Sequence, residues 1–151
     1  MATNICARLK AGVVTSSAEA TRALAAEFAA ALPADATLAL HGNLGVGKTT
    51  FVQGLAQGLG ITEPVTSPTF NIFSLHRGRT NLLHLDAYRL ETARQVDDLL
   101  LSDFMISPWC LAVEWPERIS DWLPRDTLHL ELDITRDERH SVILRPPETA
   151  H

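Results

Sequence analysis

Eight consecutive residues constrain this chain more than any others. Gly42-Asn43-Leu44-Gly45-Val46-Gly47-Lys48-Thr49 completes the pattern G-x-x-x-x-G-K-[ST]. Each position has a chemical reason. Glycines let successive backbone N–H groups turn inward around an anion. The helix that follows aims its positive N-terminal end at the same point. A lysine at position 48 can reach the β- and γ-phosphates of a nucleotide, and the Thr49 hydroxyl can hold Mg²⁺. The pattern arises by chance in a random chain of this size on the order of one time in a thousand. Lys10 is the only other lysine in the chain, so Lys48 does not read as generic surface charge.

The flanks fit the motif. Thr37 to His41 is a short apolar run that predicts a buried strand, and Thr49 to Leu59 is helical in pattern with Gly60 as a C-cap. Further strands are predicted at Leu9–Val14, Phe70–His76, Asn81–Asp86, Trp109–Glu114, Leu128–Ile134 and Val142–Leu144. Arg77–Thr80 and Thr135–Arg139 read as hairpin connections. Helices are predicted at Ala18–Leu32, behind the capping hydroxyls of Thr15-Ser16-Ser17, at Glu91–Phe104 and at Pro116–Trp122. Strand–helix–strand order with two hairpins predicts an α/β, three-layer, P-loop NTPase-like fold. Its sheet should be mixed, parallel in the middle and antiparallel at the hairpins. With 151 residues and neither repeat nor linker, one domain over 1–151 is expected, with a loose tail at 146–151.

A phosphate site with Mg²⁺ needs carboxylates for the ion or its waters. Glu114 ends the buried run Cys110-Leu111-Ala112-Val113, the Walker B pattern, where strand ends line the ligand crevice of an open α/β sheet. Otherwise it is a strand-end acid in solvent or paired with Arg118. Asp86 ends Leu82-Leu83-His84-Leu85 and can support Mg²⁺ or orient water; the alternative is a turn aspartate capping Tyr88-Arg89. Thr69, after Ser67-Pro68, suits a γ-phosphate-sensing loop or a plain turn. His84 alternates with Leu83 and Leu85, and His41 adjoins the loop; with no metal-ligand spacing, both default to structural or surface roles. Trp115 is expected to pack near the site.

Charge restricts the partners. A formal net charge of −5 argues against gripping nucleic acid through bulk electrostatics. Cys6 and Cys110 sit in apolar settings without ligand spacing and predict two reduced thiols. No segment reaches the roughly 18 apolar residues of a membrane span, and Met1 to Lys10 carries no long apolar run. The expected compartment is the cytoplasm.

Four motifs in order carry a resemblance: Gly42 to Thr50, Ser67-Pro68-Thr69-Phe70, His84-Leu85-Asp86-Ala87-Tyr88-Arg89-Leu90 and Glu114-Trp115-Pro116-Glu117. Together they resemble the TsaE family of small bacterial P-loop ATPases and cover most of residues 16 to 123. The resemblance implies a Mg²⁺-dependent ATPase that acts with TsaD and TsaB to install threonylcarbamoyl on the adenosine beside the anticodon of certain tRNAs. Hydrolysis would reset that complex rather than perform the transfer, and tRNA would be touched mainly through the partners. By motif position, Gly42 to Thr50 would hold ATP, Lys48 and Thr49 would hold phosphate and Mg²⁺, and Glu114 would be the second metal ligand. Asp86 would support hydrolysis, and Thr69 would sit in a switch-like loop. The chain departs from the family at Ala87, often leucine there, and at Leu100-Leu101-Ser102, where a Leu-Gly pair is common.

Other nucleotide chemistries fit less well. A GTPase needs Asn-Lys-x-Asp to read the base, and no asparagine here supplies it. A small-molecule kinase would use Arg89, Arg94 and Arg118 to clamp an acceptor. An ATP-binding assembly module would hold nucleotide and scarcely turn it over.

Overall fold

The computed structural model describes residues 4–43, 45–66, 72–145 and 147. Seven strands form one sheet: β1 (Val13–Thr15), β2 (Ala36–His41), β3 (Phe73–His76), β4 (Asn81–Asp86), β5 (Trp109–Glu114), β6 (Leu128–Ile134) and β7 (His140–Arg145). Their order is β1-β7-β6-β2-β5-β4-β3. The four central strands β6, β2, β5 and β4 are parallel, and β3, β7 and β1 add antiparallel edges. This is the mixed, centrally parallel sheet that the hairpin spacing predicts. The parallel middle matches the sequence of β2, whose first five residues are all buried. A parallel strand covered on both faces needs an unbroken apolar run rather than an alternating one.

Helices α1 (Ile5–Ala11), α2 (Ala18–Ala31) and α3 (Lys48–Gly58) share one face of the sheet. Ser17 caps α2 by accepting the Ala20 N–H at 3.0 Å. Leu24 and Phe28 of α2 and Phe51, Val52 and Leu55 of α3 then pack on Leu38, Leu40, Ala112 and Leu130. Phe28 and Phe51 are fully buried with ring centroids 6.4 Å apart, and each burial contributes about 2–3 kcal/mol. α3 ends with the Gly60 N–H on the Gln57 carbonyl and the Ile61 N–H on the Ala56 carbonyl, the paired bonds of a Schellman stop. The other face is covered over β4 and β5 by α4 (Arg94–Asp98) and by 3₁₀ turns at Ala87–Arg89, Leu101–Asp103 and Pro116–Ile119. Cys110 is wholly buried, which pushes its thiol up to about 12; both cysteines are free.

Two predicted elements take a different form. Leu9–Val14 is not a strand: the chain is helical to Ala11 and extended only from Val13. Asn4 caps that helix by accepting the Cys6 N–H, and Ile5 and Leu9 bury on one side of it, one turn apart. The single helix expected over Glu91–Phe104 is broken into α4 and a 3₁₀ turn, with Leu100 left-handed at φ +54° between them. Its anchors explain the break. Val96 and Leu101 both bury in the same cluster, yet five residues of continuous helix would rotate them about 140° apart. The segment at Pro116 is likewise a short 3₁₀ turn rather than a helix to Trp122. Residues 70 and 71 of the expected strand Phe70–His76 lie outside the described residues, as does nearly all of the expected loose tail.

Candidate nucleotide site

The parallel strands all run toward one edge of the sheet, so β2, β4 and β5 deliver His41, Asp86 and Glu114 to the same side. Asp86 and Glu114 are direct register partners. This is the edge at which open α/β sheets bind ligands.

At Gly42 the loop after β2 leaves no room for a side chain. A Cβ on Gly42 would sit 2.5 Å from the Leu132 carbonyl oxygen and 2.6 Å from Val46 Cγ2. Gly47 then heads α3, and among the described residues no side chain caps the first N–H groups of that helix. They remain available, with the helix dipole, for an anion.

Lys48 is 5% exposed. Its Nζ donates to the Gly42 carbonyl at 2.7 Å and lies 3.7 Å from the centroid of the Trp115 ring. Burial pushes its amine below the usual lysine range, while Glu114, Glu117 and Asp86 push it back up. Trp115 holds its place at φ +57°, a left-handed conformation that costs a non-glycine residue about 1–3 kcal/mol. Tyr88 packs on Trp115 with centroids 5.1 Å apart, and Arg118 lies 5.5 Å from the Tyr88 ring.

Gly45, Gly47, Lys48, Thr49, Thr50, Asp86, Glu114 and Trp115 line one cleft of about 440 Å³. All eight of these residues are among those singled out from the sequence. Gly42 and Asn43 instead line an adjoining cleft of about 360 Å³ with His41, Trp115 and Glu117. Val46 points into the core, and its carbonyl accepts the Nδ1–H of His140 at 3.1 Å. Leu44 and Thr69 lie outside the described residues.

Asp86 combines both roles considered for it. Its Oδ1 accepts the Tyr88 N–H at 3.0 Å, capping the turn Ala87–Arg89, and its side chain still borders the cleft. Glu114 faces neither open solvent nor Arg118; it is 5% exposed and bonded to Nε2 of His84. His84 is the functional candidate that the sequence reading passed over. Its alternation with Leu83 and Leu85 set it on the far face of the strand. That face is also the Glu114 face once β4 and β5 are paired in register. At the end of β2, His41 and His129 stack and share a 2.8 Å hydrogen bond. Burial, and then His129, push His41 down, while Glu117 and Glu131 oppose that shift.

The donor set suits Mg²⁺. The Thr49 hydroxyl and the Asp86 and Glu114 carboxylates are hard oxygen ligands on one cleft. Among the described residues, no group of three or more His, Cys, Asp and Glu side chains could hold a metal by itself.

A family model described as "Threonylcarbamoyl adenosine biosynthesis protein TsaE" matches residues 15–142. The chain belongs to the TsaE family. Curated TsaE proteins similar to it include that of Bacillus subtilis (strain 168), 40% identical over 126 residues, covering 82% of this chain and 78% of the relative. The TsaE of Aquifex aeolicus is 38% identical over 133 residues, covering 86% and 92%. The TsaE of Treponema pallidum is 38% identical over 103 residues, covering 68% and 76%. All three are named tRNA threonylcarbamoyladenosine biosynthesis proteins. Among solved structures, the crystal structure of Bacillus YdiB superposes with a TM-score of 0.77 at 31% identity, covering 91% of this chain and 85% of that one. The α/β layers and the mixed sheet are thus those of a TsaE protein.

Proposed function

We propose that this TsaE protein is a Mg²⁺-dependent ATPase of tRNA threonylcarbamoyladenosine biosynthesis that works with TsaD and TsaB. One observation carries the reading: Lys48, Thr49, Asp86 and Glu114 converge on a single cleft beside the uncapped start of α3. A triphosphate enters with its β- and γ-phosphates against the loop N–H groups. Lys48 exchanges the Gly42 carbonyl and the Trp115 ring for phosphate oxygens. Thr49 and Glu114 would hold Mg²⁺, which would supply positive charge against the phosphates. Asp86 orients the attacking water. The water oxygen bonds to the γ-phosphorus, the bond to the β–γ bridging oxygen breaks, ADP leaves with that electron pair, and a proton of the water passes to an oxygen of the released phosphate.

The net charge of −5 supports contact with tRNA chiefly through partner proteins. Among the described residues no helix is long and apolar enough to cross a membrane, and we place the protein in the cytoplasm with its tRNA pathway. The test is steady-state ATP hydrolysis with and without TsaB and TsaD, alongside co-purification in ATP and in ADP. Slow turnover alone, acceleration by the partners and phosphate released only to water support the reading. Tight ATP binding without turnover under any condition would replace it with an assembly module, and phosphate found on an added acceptor would replace it with a kinase.

A further inference from the structure

His84 sits two residues before Asp86 on β4, on the same strand face, and opposite Ala112 on β5. That places it diagonally behind Glu114, one step deeper in the sheet than the cleft. Its side chain is 0% exposed and that of Glu114 is 6% exposed. Beside it and deeper in the sheet, the neighbours on its face of β4 and β5 are apolar: Ala112, Leu82 and Cys110. One ring nitrogen, Nε2, meets Glu114 Oε2. The other, Nδ1, is the one buried side-chain nitrogen or oxygen among the described residues that has no hydrogen-bond partner.

That orphan fixes the direction of the bond. A hydrogen on Nδ1 would be a buried donor with no acceptor, whereas a bare Nδ1 leaves only an unused lone pair. The ring therefore carries its hydrogen on Nε2 and donates it to the carboxylate. Glu114 Oε2 is committed to the core, and Oε1 is the oxygen left for the cleft. Lys48 lines the same cleft, yet it bonds the Gly42 carbonyl and forms no ion pair with Glu114. A glutamate without an anchor would be free to swing onto that ammonium.

We propose that His84 is a positioning residue for Glu114. Its Nε2–H holds one carboxylate oxygen so that the other is presented to the cation, and so that acid and lysine address the nucleotide separately. Partners of this kind orient metal-binding side chains and tune them at a distance from the ion itself. The proposal rests on the ATPase reading above and deepens it.

Two variants and one spectroscopic readout test it. His84→Leu keeps a similar volume without a donor; His84→Gln returns an N–H close to the place of Nε2. His84→Leu is expected to lower kcat by about 10–100-fold and to raise the Mg²⁺ concentration for half-maximal rate, with KM for ATP at saturating Mg²⁺ unchanged within about twofold. His84→Gln should recover kcat to within about fivefold of the parent protein. Independently of activity, histidine ¹⁵N NMR of the protein without nucleotide or metal should show the Nε2–H tautomer at His84. The proposal is overturned by kcat in His84→Leu equal to that of the parent, by His84→Gln no more active than a folded His84→Leu, or by a hydrogen on Nδ1. If His84→Leu does not fold, His84→Gln and the tautomer decide between the same outcomes. Turnover in the parent with an unaffected His84→Leu would remove this role alone, whereas no turnover in the parent would remove the ATPase reading and this role together.

Discussion

Replacing Lys48 with methionine keeps the unbranched stem and removes the charge. Without nucleotide, the variant loses the 2.7 Å bond to the Gly42 carbonyl and the contact 3.7 Å from the Trp115 centroid. It also escapes the desolvation that pushes the Lys48 amine down. These effects oppose each other, so stability should change by no more than about 1 kcal/mol. Nucleotide binding is different. An ammonium about 4 Å from one unit of phosphate charge gains about 4 kcal/mol at an effective dielectric constant near 20, and two phosphates double that. Releasing the Gly42 carbonyl costs about 1.5–3 kcal/mol and leaving the indole face about 1–2 kcal/mol. The net is about 3–5 kcal/mol, a loss of ATP affinity between a hundredfold and several thousandfold. Isothermal titration with Mg·ATP measures it. AMP is the internal control, because it lacks the phosphates that Lys48 reaches and should bind both proteins alike. ATP affinity within about threefold of the parent, or equal losses for ATP and AMP, would refute the reasoning.

Four further outcomes follow from particular contacts. Glu114→Ala should cut hydrolysis by about 10²–10³-fold. It also strands the His84 N–H in the core, at about 1–3 kcal/mol and a fall in Tm of about 3–9 °C in a calorimetric scan; an unchanged Tm would count against that hydrogen bond. Asp86→Asn retains an oxygen for the Tyr88 N–H, so turnover should drop while the unfolding free energy from urea titration stays within about 0.5 kcal/mol of the parent. Leu100, at φ +54° and 59% exposed, should gain about 0.5–1 kcal/mol as glycine, since left-handed strain exceeds the added chain entropy; a lower urea midpoint would contradict this. For His41, burial and His129 hold the folded pKa below the ordinary histidine value of 6.5. The unfolded chain therefore takes up the proton first, and stability is full above that value and lost as pH falls beneath it. Urea midpoints should decline from about pH 7 to about pH 5.5, and His41→Gln should flatten the slope.

What the sequence makes legible here is local chemistry. Gly42 to Thr49 needs no knowledge of the rest of the chain, because each residue type answers to the same anion. Asp86 and Glu114 are visible because an acid after an apolar run marks a strand end. The pairing of His84 with Glu114 is not visible in the same way. It exists only if β4 and β5 are neighbours, parallel, and in the register that sets Asp86 beside Glu114. Those facts are spread over 30 residues of chain. The contact of Lys48 with Trp115 likewise depends on a left-handed turn at Trp115 that no propensity anticipates. At the N-terminus, Leu9 to Val14 reads as apolar enough for a strand, but Asn4 and Ile5 outside that window start a helix that carries Leu9 into the core. Over Glu91–Phe104 the composition favours helix, and the tertiary demand to bury both Val96 and Leu101 prevails over it.

The most direct test of the account is a crystal structure with Mg²⁺ and a non-hydrolysable ATP analogue. The account predicts the triphosphate in the turn from Gly42 to Thr49, Lys48 moved from the Gly42 carbonyl to the β- and γ-phosphates, and the cation beside Thr49 and Glu114 Oε1 with Oε2 still on His84. A nucleotide bound elsewhere, or a cation that leaves both Thr49 and Glu114 untouched, would contradict it.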